Sequence, residues 1–111
     1  MRFFIAAVSA ALFAILAAPV SAAEGETIFA QQCAACHGRK GEGMQYVAPS
    51  LKGSEFVSSA SVDDIKAVVR AGRSGDAKKH PAFPAVMPPF PNLSEEELTA
   101  IAEYVHVSLQ Q

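Results

Sequence analysis

The sequence predicts an all-α domain of three main helices joined by long loops, on three observations. Apolar residues recur at helical spacing in three stretches, and no run alternates polar and apolar residues as a half-buried strand would. Residues 38–60 and 73–93 are rich in Gly, Pro and Ser. Loops of that length in a small domain usually have a functional role or a ligand to pack on.

The first helix is expected from about Gly25 to Cys36, stopping at Gly38. Gly25, Phe29 and Cys33 are four apart each time and form its buried edge. Ser61 reads as the N-cap of the second helix, with Asp63 and Asp64 in its first turn. Val62, Ile65, Val68 and Val69 lie on one side, and Gly72 ends it. The third helix begins at Asn92 or Ser94, with Glu97 in a capping-box position relative to Ser94. Leu98, Ile101, Val105 and Leu109 form its apolar stripe. The Glu95 to Glu97 run suits the positive end of the helix dipole better than it argues for an acidic docking patch.

Ahead of these helices, Met1 and Arg2 precede an apolar run from Phe3 to Ala18, broken only by Ser9. The run is short for a membrane span, which needs about 20 residues. Pro19 and the small residues after it complete the pattern of a signal peptide, residues 1–23, cleaved after Ala22 or Ala23, the alternative being an uncleaved N-terminal anchor. The mature domain is then 24–111, with no stable membrane insertion once the leader is removed. Losing Arg2 leaves 8 basic against 11 acidic side chains, a net charge of −3, which disfavours nucleic acid as a partner.

Cys33-Ala34-Ala35-Cys36-His37 carries the chemistry. On a helical turn, two thiols at this spacing can each reach a haem vinyl group while the adjacent imidazole turns onto the iron, so the motif reads as covalent haem attachment. A thioredoxin-like dithiol would want a strand before the first cysteine, whereas residues 25–32 read as helix. A structural zinc site would want four ligands, and there is no second cysteine pair. Both thiols are consumed by haem in an exported, oxidising compartment. A domain this short is near the limit for an apolar core alone, so folding is expected to depend on the haem.

The second iron ligand is read as Met87, within Val86-Met87-Pro88-Pro89-Phe90, where the prolines stiffen the backbone. Met44 lies only seven residues after His37 and would have to wrap the haem edge at once. His80 in a basic loop is the main nitrogen alternative, and His106, between core positions, reads as a surface or satisfied histidine.

With these residues in place the chain resembles the class I c-type cytochromes, small monohaem electron carriers, over nearly its whole mature length. Gly25, Phe29, Ile101 and Tyr104 stand where that family crosses its first and last helices, and Pro49 and Leu51 match its proline and leucine after the haem motif. The resemblance implies the cytochrome c fold, with three main helices and long loops wrapped around one haem c bound through Cys33 and Cys36. It also implies a Pro49 carbonyl accepting from the free nitrogen of His37, and Met87 as the methionine ligand. Residues 70–81 are the least family-typical part. There Arg70 or Arg73 could neutralise a haem propionate, or Lys78 and Lys79 could meet an acidic partner.

Iron held by His37 and Met87 has no open position, so the expected function is outer-sphere electron transfer in the periplasm and not enzymatic catalysis. Expected partners are a dehydrogenase or respiratory complex as donor and a terminal oxidase or reductase as acceptor. The chain would work as a monomer or as a subunit of a redox complex. The rival class is a haem enzyme or gas sensor with a displaceable sixth ligand.

Overall fold

Gly25 marks the point where the first and last helices touch. A Cβ there would lie 2.8 Å from the Tyr104 Cβ and 2.9 Å from the Ala100 carbonyl carbon, so only glycine lets the two backbones approach this closely. The computed structural model describes residues 10–12, 22–75, 78–79 and 83–111. Most of the expected leader and His80 lie outside the described residues.

Helix α1 spans Ala22–Gln32 and α2 spans Ala34–His37. A short α3 covers Glu55–Ser59, α4 covers Val62–Ala71 and α5 covers Glu95–His106, followed by a 3-10 turn at Ser108–Gln110. Among the described residues, β structure is limited to two isolated bridges, Met44 with Ala48 and Arg73 with Met87. The all-α expectation holds, with three differences in detail.

The first helix starts three residues earlier than Gly25 and breaks at Cys33. Ala22 and Ala23 are good helix formers and continue α1 backwards. Both expected cleavage points therefore fall in its first turn. The third difference is α3, which the loop composition hid: Ser54 caps it by accepting from the Val57 N–H, and its five residues are too few to show a period.

The two longer caps are as the sequence indicates. Ser61 and Asp64 exchange hydrogen bonds at the start of α4, and Ser94 and Glu97 do so at the start of α5. The hydrogen bonds with Ser61 hold the Asp64 carboxyl below its usual range. At the helix ends, Gly38 and Gly72 both take positive φ (81° and 68°), but with extended ψ, so neither forms a left-handed helical cap.

Phe29, Leu98 and Ile101 are the largest fully buried side chains, and Ile65, Val69, Val105 and Leu109 join them in one core. The Phe29 and Tyr104 rings meet at 5.5 Å between centroids with a 51° tilt. Helix α4 is tied to α5 by Glu95, which accepts from Arg70 at 2.9 Å and pairs with Lys66 at 3.3 Å. Two of the three acids in the Glu95 to Glu97 run are thus engaged within the fold, which favours the dipole and capping reading over a docking patch.

The last residues clamp the loop after α2. Gln110 donates to the carbonyls of Leu51 and Val105 at 2.9 and 3.0 Å, and its Oε1 accepts from the Gly53 N–H at 2.7 Å. Among the described residues, no helix is long and apolar enough to cross a membrane.

Candidate haem site

The break between α1 and α2 sets the geometry of the motif. Cys33 closes α1 through its N–H to the Phe29 carbonyl at 2.9 Å, and its own carbonyl accepts from the His37 N–H at 2.9 Å. The turn is thereby carried on with Cys33, Cys36 and His37 on the wall of one cleft. Burial, with Cys36 close by, pushes the Cys33 thiol up to about 12, so it remains protonated at neutral pH.

His37 is half-buried and its ring is oriented by a hydrogen bond. Its Nδ1 lies 3.0 Å from the Pro49 carbonyl oxygen. A carbonyl can only accept, so Nδ1 carries the proton and Nε2 presents a lone pair. Burial pushes the imidazole below its ordinary pKa, opposed by that carbonyl, and the neutral ring is the form that can bind a metal. The carbonyl is held in turn by its loop: Gly43 sits so close that a Cβ on it would be 2.9 Å from the Pro49 carbonyl carbon.

The cleft contains about 1290 Å³ of space, including its open mouth, and its walls are mostly apolar. Met87 lines it from the loop before α5, together with Pro88 and Phe90. The structure thus brings Met87 onto the same cleft as Cys33, Cys36 and His37 of the attachment motif. Met44 is outside this lining and is 44% exposed. His106 is also outside it, and its Nδ1 is engaged by the Val57 carbonyl at 2.9 Å.

The polar lining has one sign. Among the described residues Arg73, Lys78 and Lys79 reach the cleft and no carboxylate does. The Arg73 guanidinium lies 4.5 Å over the Phe56 ring, and Lys78 donates to the Phe83 carbonyl. Burial lowers the pKa of Arg73, which a guanidinium tolerates without losing its charge. Arg70, the other arginine considered from sequence, points to Glu95 instead.

These features fit haem. A flat apolar macrocycle suits the walls, a doubly charged carboxylate edge suits three cations, and two thiols with a neutral imidazole suit the attachment motif. A zinc reading gains no support, since the described residues contain no group of three or more His, Cys, Asp or Glu able to hold a metal. The contributions that sequence reasoning missed are Phe56, on the unforeseen α3, and the approach of Arg73 to it; the Ser54 cap was the available signal.

Comparison with known proteins agrees with the geometry. Residues 20–105 match the family described as cytochrome c oxidase, cbb3-type, subunit III. The chain is 32% identical over 96 residues to the cbb3-type cytochrome c oxidase subunit CcoP of Rhodobacter capsulatus, covering 78% of this chain and 29% of that protein. It therefore spans under a third of the length of that relative. Cytochrome c6C from Synechococcus sp. PCC 7002 superposes with a TM-score of 0.54 at 26% identity, covering 78% of this chain and 95% of that one. The c-type cytochrome XoxG from Methylobacterium extorquens AM1 shares the fold, with a TM-score of 0.59 at 21% identity over 79% of this chain and 50% of that one. The chain belongs to the cbb3-type cytochrome c oxidase subunit III family, as a cytochrome c domain whose cofactor is covalently attached haem c.

Proposed function

We propose that this chain is an exported one-electron carrier in which Cys33 and Cys36 would form the two thioethers to haem, and His37 Nε2 and Met87 Sδ would hold its iron. The observation that carries the reading is the presence of all four side chains on one cleft, with His37 Nδ1 already occupied by the Pro49 carbonyl. Haem bound there supplies an iron couple that exchanges single electrons.

The residues' own work is to hold and to exclude. The Pro49 contact fixes the His37 ring and strengthens it as a donor. Apolar walls and a thioether favour the reduced state, which raises the potential. Iron held by both side chains would leave a substrate no place on the metal, so the chemistry supplied would be electron exchange alone.

The leader pattern supports export to the periplasm, with residues 24–111 as the mature domain. The cbb3-oxidase names of the relatives support a respiratory setting, either as a carrier between a dehydrogenase or respiratory complex and a terminal acceptor, or as a subunit of a redox complex. Weak, electrostatically steered docking suits such turnover.

The test is the ferric absorption spectrum, read for the weak long-wavelength band of sulfur-to-iron charge transfer, in wild type and Met87→Ala. A band present in wild type and lost in the variant supports the reading. A band in both moves the ligand to Met44. Its absence from wild type, together with rapid carbon monoxide binding by the ferrous protein, overturns the carrier in favour of an open site.

A further inference from the structure

A thioether on a side chain with three rotatable bonds is a weak neutral donor, so its bond to iron depends on how well the backbone beneath it is held. In this chain the holding is done by the end of α4. Helix α4 stops at Ala71, and Gly72 turns the chain at φ +68° while donating its N–H to the Val68 carbonyl at 2.7 Å. The segment Met87 to Pro89 then lies flat on the α-carbon of Gly72. A Cβ on that residue would stand 2.7 Å from both the Pro88 carbonyl carbon and the Pro89 nitrogen, and nearer still to the Met87 oxygen. These are backbone atoms flanked by two prolines, which cannot swing aside as a side-chain tip would.

Three hydrogen bonds complete the attachment. Arg73 N–H donates to the Met87 carbonyl at 2.9 Å, and Met87 N–H donates to the Arg73 carbonyl at 3.0 Å. One helical turn earlier, the Val69 carbonyl, which has no partner inside the helix at this end, accepts from the Phe90 N–H at 3.2 Å. The support is itself anchored, because Ile65 and Val69 are buried and Lys66 and Arg70 are tied to Glu95 on α5.

We propose that Gly72 and the backbone of Arg73 are positioning residues for Met87, forming a seat on which the sulfur is held in place for the ferric iron. The inference rests on Met87 being the iron ligand. The oxidised metal is the demanding state, since the harder ferric ion gains less from a soft thioether than ferrous iron does. A loosened seat therefore lets a competing nitrogen base in at the ferric state first.

The experiment is the affinity of the ferric haem-loaded protein for free imidazole, followed by its absorption change, with covalent haem content and helical circular dichroism measured alongside. Gly72→Ala is expected to bind imidazole about tenfold more tightly or better than wild type, with the sulfur band diminished. Arg73→Pro, which replaces one seat donor by a ring carbon facing the Met87 carbonyl and also removes the guanidinium, is expected to do the same. Arg73→Ala keeps both backbone bonds and removes the side chain, so Arg73→Pro is expected to bind imidazole at least about fivefold more tightly than Arg73→Ala, which separates the backbone bond from the guanidinium.

Wild-type affinity in both Gly72→Ala and Arg73→Pro, with Met87→Ala binding imidazole more tightly, overturns the seat and leaves the ligand reading standing. An Arg73→Ala variant that binds imidazole as tightly as Arg73→Pro also overturns it, since the side chain would then be the anchor. If Met87→Ala matches wild type, the ligand reading itself has failed and the seat falls with it. Should Gly72→Ala fail to retain haem, the Arg73→Pro and Arg73→Ala pair decides.

Discussion

His37 donates its Nδ1–H to the carbonyl oxygen of Pro49 at 3.0 Å, and this bond fixes both the tautomer and the tilt of the ring that follows the two cysteines. A donor hydrogen-bonded in this way gives more electron density to a metal and favours its oxidised form. Pro49→Gly keeps the carbonyl but frees the backbone that aims it. The potential of the haem-loaded variant should rise by roughly 20–40 mV, the one-electron equivalent of weakening one hydrogen bond. Redox titration of the two proteins side by side checks this.

The contact of Gly25 with Ala100 and Tyr104 makes a second prediction. Gly25→Ala places a methyl group against the α5 backbone, where neither helix can yield without disturbing Phe29 and Ile101 behind it. A loss of about 1–3 kcal/mol is expected, as for other overpacked helix contacts. Guanidinium unfolding should give a lower midpoint with an unchanged slope.

Arg73→Ala removes a cation from a cleft that has no acidic lining among the described residues. The ferrous state carries one positive charge fewer than the ferric state, so a nearby cation favours it. The potential is expected to fall, by about 40 mV for each 1 kcal/mol of lost interaction. An unchanged or increased potential would mean that the guanidinium serves only to stack on Phe56.

Glu95 is held below the usual carboxylate range by the hydrogen bond from Lys66 and the charge of Arg70. A depressed acid stabilises the fold above its unfolded pKa, and that contribution is lost as pH falls through its folded pKa. Glu95→Gln should therefore lower Tm by about 1–4 °C at pH 7, with the gap closing as pH falls and Glu95 becomes protonated. The pairing is exposed, so added salt should narrow it as well. A gap that persists at low pH would trace the loss to something other than charge.

The parts of the fold that were legible in the sequence are those where one local rule suffices. Ser61 and Ser94 announce their helices because a hydroxyl three residues from a carboxylate closes a capping box. Leu98, Ile101, Val105 and Leu109 are all buried, as their spacing requires. The attachment motif stands out because its chemistry needs adjacent residues.

What stayed hidden depends on distant segments. Helix α3 is too short for periodicity, the break at Cys33 follows no single breaker residue, and the start at Ala22 lies in a stretch whose small residues read equally as a cleavage site. The bridge from Arg73 to Met87 joins residues on either side of a long loop, and nothing in their types announces it. The close approach of Gly72 to that segment reads, in sequence, only as the end of a helix.

The clamp made by Gln110 has a practical corollary for anyone wiring this protein to a surface. Its amide grips Leu51 and Gly53, the same short loop whose Pro49 carbonyl steers the His37 ring. A tether or fluorophore fixed at Gln110 or Gln111 would transmit its pull to that ring and change the signal being recorded. An electrode linkage is better placed on the outward side of α4, at Ala67, where the residue is exposed and stands clear of the cleft lining.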